Sequence, residues 1–388
     1  MAGRTAAGPP PWTTSSACEP RPHGGPGVTA RSPVAWLLPI LPGVLLALSL
    51  ALLGQYLSQW IGQSLMGLAK SPVSPILLAI LLGMLVRNLF RLPAWSEAGV
   101  RFALVRILRL GIVLLGIRLS LAEAGAIGLR ALPVIVASVG IALWLVTWVS
   151  RRIGLSPRLG TLIAAGTGIC GATAIVALAP VIRARDEETA YAVACITLFG
   201  VAAMLAYPFL AHALFAGDGF RAGLFLGTAV HETAQVAGAG LVYQEYFGDA
   251  QALDTATVTK LVRNLGMLAV IPLLGFLYQR GHAEPGVRMP WYGMVPLFVL
   301  GFAAMSLLRT LGDLGEQAFG VIPAAQWQAL VAGLKDLAEI CLGVAMAAVG
   351  LGTSLKGLRE IGLRPFAVGL VSALLVGVVS LLLILALY

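Results

Sequence analysis

The chain has 388 residues, of which 59% are hydrophobic and only 11% are charged. Soluble domains have about 25% charged residues, so these charges are too few to cover the surface of a soluble protein of this length. The composition excludes an ordinary soluble enzyme. The net charge of +9 is typical of a membrane protein whose cytoplasmic loops are basic, and we expect no nucleic acid among its partners.

The apolar residues form runs that are long enough to cross a bilayer, for which a helix needs roughly 20 residues. Residues 1–33 are rich in Gly, Pro, Ser and Thr, so we predict a disordered cytoplasmic tail there and a transmembrane transporter domain over residues 34–388. The fold class is then an all-α polytopic membrane protein. Eleven runs are predicted to be spans: 34–54, 72–90, 103–121, 132–150, 159–181, 188–216, 221–242, 257–279, 291–309, 328–355 and 363–387.

The distribution of Lys and Arg predicts the orientation of the chain. With the N-terminus in the cytoplasm, 15 of these residues fall in inside segments and 5 in outside segments. Because basic loops stay inside, we predict a cytoplasmic N-terminus, an external C-terminus and an external acidic loop at 243–256. The five outside residues are Lys70, Arg130, Arg183, Arg185 and Arg309.

Two segments of the chain repeat each other. Residues 115–134 and 349–368 share eight of 20 positions at a constant offset of 234, including an IGLR block. One copy ends the third predicted span and the other ends the tenth, so the copies face opposite sides of the membrane. Inverted repeats are characteristic of secondary transporters.

The fifth run contains AAGTGICGATAIVALAP at 164–180. Each Gly costs ~1 kcal/mol in a helix interior relative to Ala, so we predict a break there, and a helix that starts within the membrane exposes backbone N–H groups that bind anions. The alternative is that small residues only let helices pack closely. The candidate substrate-binding residues in this run are Thr167, Gly168, Cys170, Gly171 and Thr173.

Ionisable residues interrupt the seventh run. His231, Glu232 and Gln235 lie in an apolar stretch, where such groups are expensive to bury and face a protein interior or a water-filled cavity. His231 and Gln235 are four residues apart and would share one helical face. Because histidine changes its charge near neutral pH, we predict that these three residues couple transport to protons. The alternative is a hydrogen-bonded pair that ties helices together.

The eighth run begins with a basic cluster. Lys260, Arg263 and Asn264 would occupy one face of a helix and could present two cations to an anion, so they complete the candidate substrate-binding set. The alternative is that the two cations extend to the membrane surface. Arg106 and Arg109 of the third run are interpreted as interfacial.

A different class of protein also fits one motif. The residues 231–235 read HETAQ, which differs from the zinc-protease signature H-E-x-x-H in its last position, where a neutral amide is a poor zinc ligand. An intramembrane zinc protease is therefore an alternative, as is an anion channel. We expect no metal and no cofactor, and the absence of a phosphate-binding loop argues against direct use of ATP.

These residues resemble a known family. The segments GTGICGATAIVALAPVI, GTAVHETAQVAGAG, VTKLVRN and VGLGTSL are similar to those of the YeiH-type sulfate exporter family of bacterial inner-membrane proteins, over roughly residues 34–388. That family is similar in fold to cation–proton antiporters and bile-acid symporters, which implies two inverted bundles with broken, crossing helices. We therefore expect a carrier, not an enzyme, in the inner membrane, with a small anion and the lipid bilayer as partners. A homodimer is left open.

Overall fold

The computed structural model describes residues 38–65, 73–90, 92–279, 296–315, 317–354 and 363–388, and the predicted tail at 1–33 lies outside these ranges. The described chain is almost entirely helical. Two short strands, β1 (Gln317–Ala318) and β2 (Ile322–Pro323), pair as a hairpin. The helices are α1 (Leu41–Gln59), α2 (Pro75–Leu89), α3 (Ala94–Phe102), α4 (Leu108–Leu115), α5 (Leu121–Arg152), α6 (Pro157–Ala165), α7 (Ala172–Leu178), α8 (Asp186–Leu214), α9 (Gly219–Ala229), α10 (Thr233–Phe247), α11 (Ala250–Leu265), α12 (Met267–Gln279), α13 (Leu297–Gly312), α14 (Ala324–Gly352) and α15 (Leu363–Leu387).

The outer surface of the helices is apolar. Five helical stretches of the described chain are long and apolar enough to cross a membrane: Leu41–Gln59, Leu121–Arg152, Asp186–Leu214, Ala250–Tyr278 and Pro365–Leu387. Large apolar side chains on them point outward, with Leu129 73% exposed and Trp144 69% exposed. A soluble protein does not present such surfaces to water. The chain is an all-α membrane protein.

The helices pack as two groups. The first group, which we name the first bundle, consists of α1–α4, α13 and α14. The second bundle consists of α5–α12 and α15. In the first bundle α14 packs closely on α2, where a Cβ added at Gly83 would lie 2.9 Å from the backbone nitrogen of Leu351. In the second bundle α11 is the central helix and contacts α9, α10 and α5.

The segment at 157–178 is a hairpin that enters and leaves on the same side. Helix α6 begins at the N-cap Ser156, continues as a π-helical turn over Gly166–Cys170 and stops at Gly171, after which α7 turns back. The Ser156 hydroxyl donates to the Glu188 carboxylate over 2.5 Å, and Glu188 lies in the first turn of α8. The start of α6 and the start of α8 therefore lie on one side, which we name face A.

The segment at 219–247 is a second hairpin that enters from the other side. Helix α9 runs parallel to α11, because Gly219 packs against Asp249 at the start of α11 and Gly227 packs against Thr259 about two to three turns later. Helix α10 then returns, and Phe247 at its end stacks on His212 near the end of α8 with ring centroids 3.7 Å apart. The ends of α8 and α10 and the starts of α9 and α11 share the opposite side, which we name face B.

These hairpins correct two predicted spans. The runs at 159–181 and 221–242 do not cross from one face to the other, because each chain reverses within the protein. Arg183 and Arg185 consequently lie on face A, and Arg221 lies on face B beside the C-terminal Tyr388, whose carbonyl accepts a hydrogen bond from Arg221. If face A is taken as the predicted inside, reassigning these three residues changes the predicted count from 15 inside and 5 outside to 16 inside and 4 outside. The correction strengthens the charge asymmetry.

Helices α4 and α14, in which the two copies of the predicted repeat begin, are antiparallel. Arg118, just after α4, is 3.5 Å from Glu339 of α14, while a Cβ at Gly352 near the end of α14 would lie 3.2 Å from Leu104, before α4. The ends of the two helices therefore point to opposite faces. Residues 355–362 of the second copy lie outside the described ranges.

Candidate functional site

The tips of the two hairpins meet in the middle of the second bundle, on one side of α11. The Lys260 ammonium, which is fully buried, donates to the carbonyl oxygens of Ile169 at 3.0 Å and Val230 at 3.4 Å, and to that of His231. Ile169 belongs to the first hairpin, and Val230 and His231 belong to the second. The three N–H donors of the ammonium group therefore bond carbonyl oxygens at the C-terminal ends of the two entering helices, α6 and α9.

Arg263 joins the same two tips one helical turn further along α11. Its Nε donates to Gly168 at 2.8 Å and its Nη2 donates to Thr167, both in the first hairpin. Its Nη1 donates to Thr228 at 2.7 Å and to Val230 at 3.2 Å, both in the second hairpin. A guanidinium group can hold both tips because its donors spread in a rigid fork.

The structure places the charged groups of Lys260 and Arg263 differently from the prediction. The sequence predicts that they present their charges directly to an anion, but their N–H groups bond backbone carbonyls and both side chains are at most 1% exposed. The physical reason is that each hairpin ends a helix inside the protein, and its last carbonyl oxygens have no partner within the helix. Their charge remains within the protein interior, and their hydrogen bonds are used.

The two helix breaks have different backbone conformations. Gly171 ends the first helix with φ +61° and ψ −133°, a conformation that essentially only glycine adopts. The second tip breaks through extended residues, with Val230 at φ −83°, ψ 142° and Glu232 at φ −101°, ψ 151°. The break predicted within the fifth run is present at Gly171. His231 lies in the second break and not in a helix, so the interpretation that it shares a helical face with Gln235 is wrong.

Glu232 also connects the two tips. The backbone N–H of Ala172, at the start of α7, donates to Glu232 Oε1 at 3.2 Å. The backbone N–H of Glu232 donates to Gln235 Oε1 at 3.1 Å, and Gln235 Nε2 donates to the Thr197 carbonyl of α8 at 3.0 Å. The carboxylate of one hairpin therefore contacts the start of the returning helix of the other.

A cavity of about 540 Å³ lies between the two bundles and reaches these tips. It extends from the junction toward face A, since its lining includes the start of α13 and the end of α14. Of the predicted site residues, Cys170, Thr173, Glu232, Gln235 and Asn264 line it. Thr167, Gly168 and His231 are buried in the tips behind it.

Asn264 has an unsatisfied polar atom in this cavity. Its Nδ2 donates to Thr233 Oγ1 at 3.1 Å, and its Oδ1 has no hydrogen-bond partner although the residue is 2% exposed. Because the O and N of an amide are assigned from their surroundings, what the geometry fixes is that one end of the amide is bound and the other is free. A buried polar atom without a partner is uncommon and points to a ligand or water.

Two arginines that contact the cavity or the second bundle are not among the predicted site residues. Arg109, interpreted from the sequence as interfacial, lines the cavity from the first bundle. Arg118 bridges the bundles near face B: its Nε lies 2.8 Å from Asp254 Oδ1 of α11, and its Nη2 donates to Gln244 Oε1 of α10 at 2.9 Å. Glu339 of α14 accepts from Gln244 at 3.2 Å and completes the cluster. Their position within an apolar run is the signal that could have found both.

The geometry around residues 231–235 bears on the zinc-protease alternative. Within the described ranges, no group of three His, Cys, Asp or Glu side chains is placed to hold a metal ion. The side chain of Gln235 is bonded to backbone groups, and the imidazole of His231 is fully buried in the second tip. Residues of this motif form the break between α9 and α10 in this structure.

Comparison with known proteins gives the family. The family model described as Conserved hypothetical protein 698 matches residues 42–369. A UPF0324 membrane protein of Bacillus cereus is 31% identical over 346 residues, which are 89% of this chain and 94% of that protein. Two further UPF0324 membrane proteins are each 34% identical to this chain. The match to the protein of Agrobacterium fabrum spans 89% of this chain and 92% of that protein, and the match to the protein of Pseudomonas aeruginosa spans 88% and 93%. No solved structure matches the chain. The chain belongs to the family of Conserved hypothetical protein 698, together with these UPF0324 membrane proteins.

Proposed function

We propose that this protein is a secondary transporter, and not an enzyme, that exports a small anion across the bacterial inner membrane. The expected substrates are sulfate and related sulfur oxyanions or sulfonates, as the resemblance to YeiH-type exporters implies. The proposal rests on one observation: the hairpin junction beside the cavity carries more positive than negative charge. No separate cofactor is part of the proposal.

The charge balance at the junction favours an anion over a cation. Lys260 and Arg263 are buried there and form no salt bridge with a carboxylate of the described residues, among which Glu232 is the only acid that lines the cavity. The carbonyl ends of α6 and α9 are offset by the amide ends of α7 and α10, so the helix dipoles contribute little net charge. A charge at the centre of a bilayer costs about 2.5–3.5 kcal/mol on insertion scales, and a bound anion would offset part of this cost.

The arrangement of the bundles supports a carrier rather than an open channel. The cavity extends toward face A, while Arg118 and Asp254 join the bundles near face B. Two hairpins that enter from opposite faces and meet at a central site are the geometry expected for alternating access by inverted repeats. We propose that this state is open to the cytoplasm, with face A cytoplasmic, the N-terminus inside and the C-terminus outside.

Glu232 is the proposed coupling residue. It lines the cavity, and its carboxylate accepts from the Ala172 N–H of the opposite hairpin, so a change in its charge acts on both tips. A substrate anion near the same N–H groups would be repelled by the carboxylate and tolerated by the protonated acid. Gln235 accepts from the Glu232 N–H, and the His231 carbonyl accepts from Lys260, so both residues hold the break in which Glu232 lies. Proton coupling is therefore proposed through Glu232, with His231 in a supporting position.

The test is a substrate panel on purified protein in liposomes. Sulfate, sulfite, thiosulfate, 2-aminoethanesulfonate and chloride are loaded singly, and efflux is followed with and without a proton gradient. The proposal expects saturable efflux of at least one sulfur oxyanion or sulfonate. Efflux of none of them, or non-saturating flux of all anions including chloride, would contradict a carrier of this class.

A further inference from the structure

Arg109 is a cation inside the membrane whose charge no carboxylate of the described residues balances. It lies in α4, it is exposed, and it lines the cavity between Leu108 and Ile112 of the same helix. Its guanidinium carbon lies 5.8 Å from the ring centroid of Phe298 in α13, a cation–π contact that orients the group and does not neutralise it.

Arg109 and Arg106 both lie well inside their helical segment, but of the two only Arg109 lines the cavity. The helical segment runs from Ala94 to Arg118, and Arg118 lies in the cluster near face B. Arg109 precedes Arg118 by nine residues, or about 13 Å at 1.5 Å per residue, and follows Ala94 by a longer distance. A charged side chain that lies at such depth and also lines a cavity marks the path of a substrate or ion.

The opposite wall of the cavity offers complementary groups. Thr233 and its N-cap residue Glu232, at the start of the 15-residue helix α10, line this wall. Asn264 of α11 lies beside Thr233 with one end of its amide unpartnered and 2% exposed. The apolar side chains of Val105, Leu108 and Phe298 surround Arg109 on its own wall. A ligand between the walls would contact one bundle through Arg109 and the other through Asn264.

We propose that Arg109 binds the anionic group of the substrate, and that Asn264 and the start of α10 bind the same ligand from the second bundle. For an oxyanion the Asn264 amide is turned so that its Oδ1 accepts from the Thr233 hydroxyl and its Nδ2 donates into the cavity. This inference rests on the proposed transport of an anion and names the residue that recognises it. A guanidinium offers two parallel N–H donors, so the ligand it selects is an oxyanion with two oxygens side by side, as in sulfate, a sulfonate or a carboxylate. A halide has a single acceptor atom and uses half of that fork. A ligand bound by both bundles would also interact with both, so both would respond to its binding.

The test compares Arg109 with its neighbour Arg106. Arg106 is also an exposed arginine of the same helical segment, but it does not line the cavity, so Arg106→Gln is the matched control. Wild type, Arg109→Gln, Arg109→Lys and Arg106→Gln are reconstituted in liposomes at equal protein. The KM and maximal rate are measured for radiolabelled sulfate and 2-aminoethanesulfonate, with chloride as competitor, and the melting temperature of each variant is recorded.

We expect Arg109→Gln to raise KM by roughly 10- to 100-fold, which is the loss of a hydrogen-bonded charged group, with a melting temperature equal to that of the control. Arg109→Lys should recover part of the affinity and lose discrimination against chloride, because an ammonium lacks the fork. If Arg109→Gln and Arg106→Gln both keep the wild-type KM while wild type transports, Arg109 does not bind substrate and the proposed function stands. If wild type transports one of the other sulfur oxyanions of the panel, the KM comparison is made with that substrate. If wild type transports no sulfur oxyanion or sulfonate of the panel, the proposed function and this inference both fail.

Discussion

Arg263 offers the strongest perturbation of the hairpin junction. Arg263→Leu places an apolar side chain at the position and removes hydrogen bonds to Gly168, to Thr228 and to Thr167. Hydrogen bonds to a charged group contribute about 1.5–3 kcal/mol each, so three bonds amount to at least about 4–5 kcal/mol if they add. That is a large part of the 5–15 kcal/mol by which proteins are usually stable. We expect both tips to lose their fixed positions.

The assay is thermal unfolding of detergent-purified protein followed by size-exclusion chromatography. Arg263→Leu should melt well below wild type or fail to give a monodisperse peak, and Arg263→Lys should lie between them, because one ammonium cannot bond both hairpins as the fork does. Arg106→Gln, an exposed arginine elsewhere in the chain, serves as the control and should melt like wild type. If Arg263→Leu melted with the control, the guanidinium would not be what joins the tips.

Three further predictions concern neighbouring residues. Gly171→Ala should lose about 1–3 kcal/mol of stability, because its φ of +61° is strained for alanine and the new Cβ would meet the Glu232 side chain, whereas Gly140→Ala, with open space around it, should be neutral in the same melting assay. Glu232→Gln should fold and transport at a rate independent of pH in liposomes; a wild-type pH profile would remove Glu232 from the coupling. Arg118→Gln should loosen the contact near face B and lower the maleimide reactivity of Thr173→Cys, made in a Cys170→Ser background, and unchanged reactivity would contradict the closing role of Arg118.

The sequence predicted the positions of the breaks better than their consequence. Several glycines in one apolar run indicated an interrupted helix, and the structure interrupts it at Gly171. The run at 159–181 nevertheless has the length and hydropathy of a span, and a helix that returns to its starting face has the same composition as one that continues. Only contacts between distant residues, such as Ser156 with Glu188, distinguish the two.

The candidate site was found in part for a similar reason. Buried charge in an apolar chain indicated Glu232, Lys260 and Arg263, and all three contact the hairpin tips. The sequence could not indicate that the two cations bond carbonyl oxygens, because those carbonyls are freed by breaks in other segments. Arg109 and Arg118 were missed as site residues because periodicity within one helix does not reveal which face meets the other bundle.

The central claim is that two hairpins enter from opposite faces and meet at α11. It is tested most directly by labelling single cysteines in intact cells and in inside-out vesicles with an impermeant maleimide. Arg152→Cys and Glu187→Cys flank the first hairpin, and Ala216→Cys and Ala250→Cys flank the second; all four positions are exposed. The structure predicts that the two members of each pair react from the same side and that the two pairs react from opposite sides. With the proposed orientation, the first pair reacts only in inside-out vesicles and the second pair only in intact cells. If the two members of either pair react from opposite sides, that segment crosses the membrane and the hairpin junction does not exist as described.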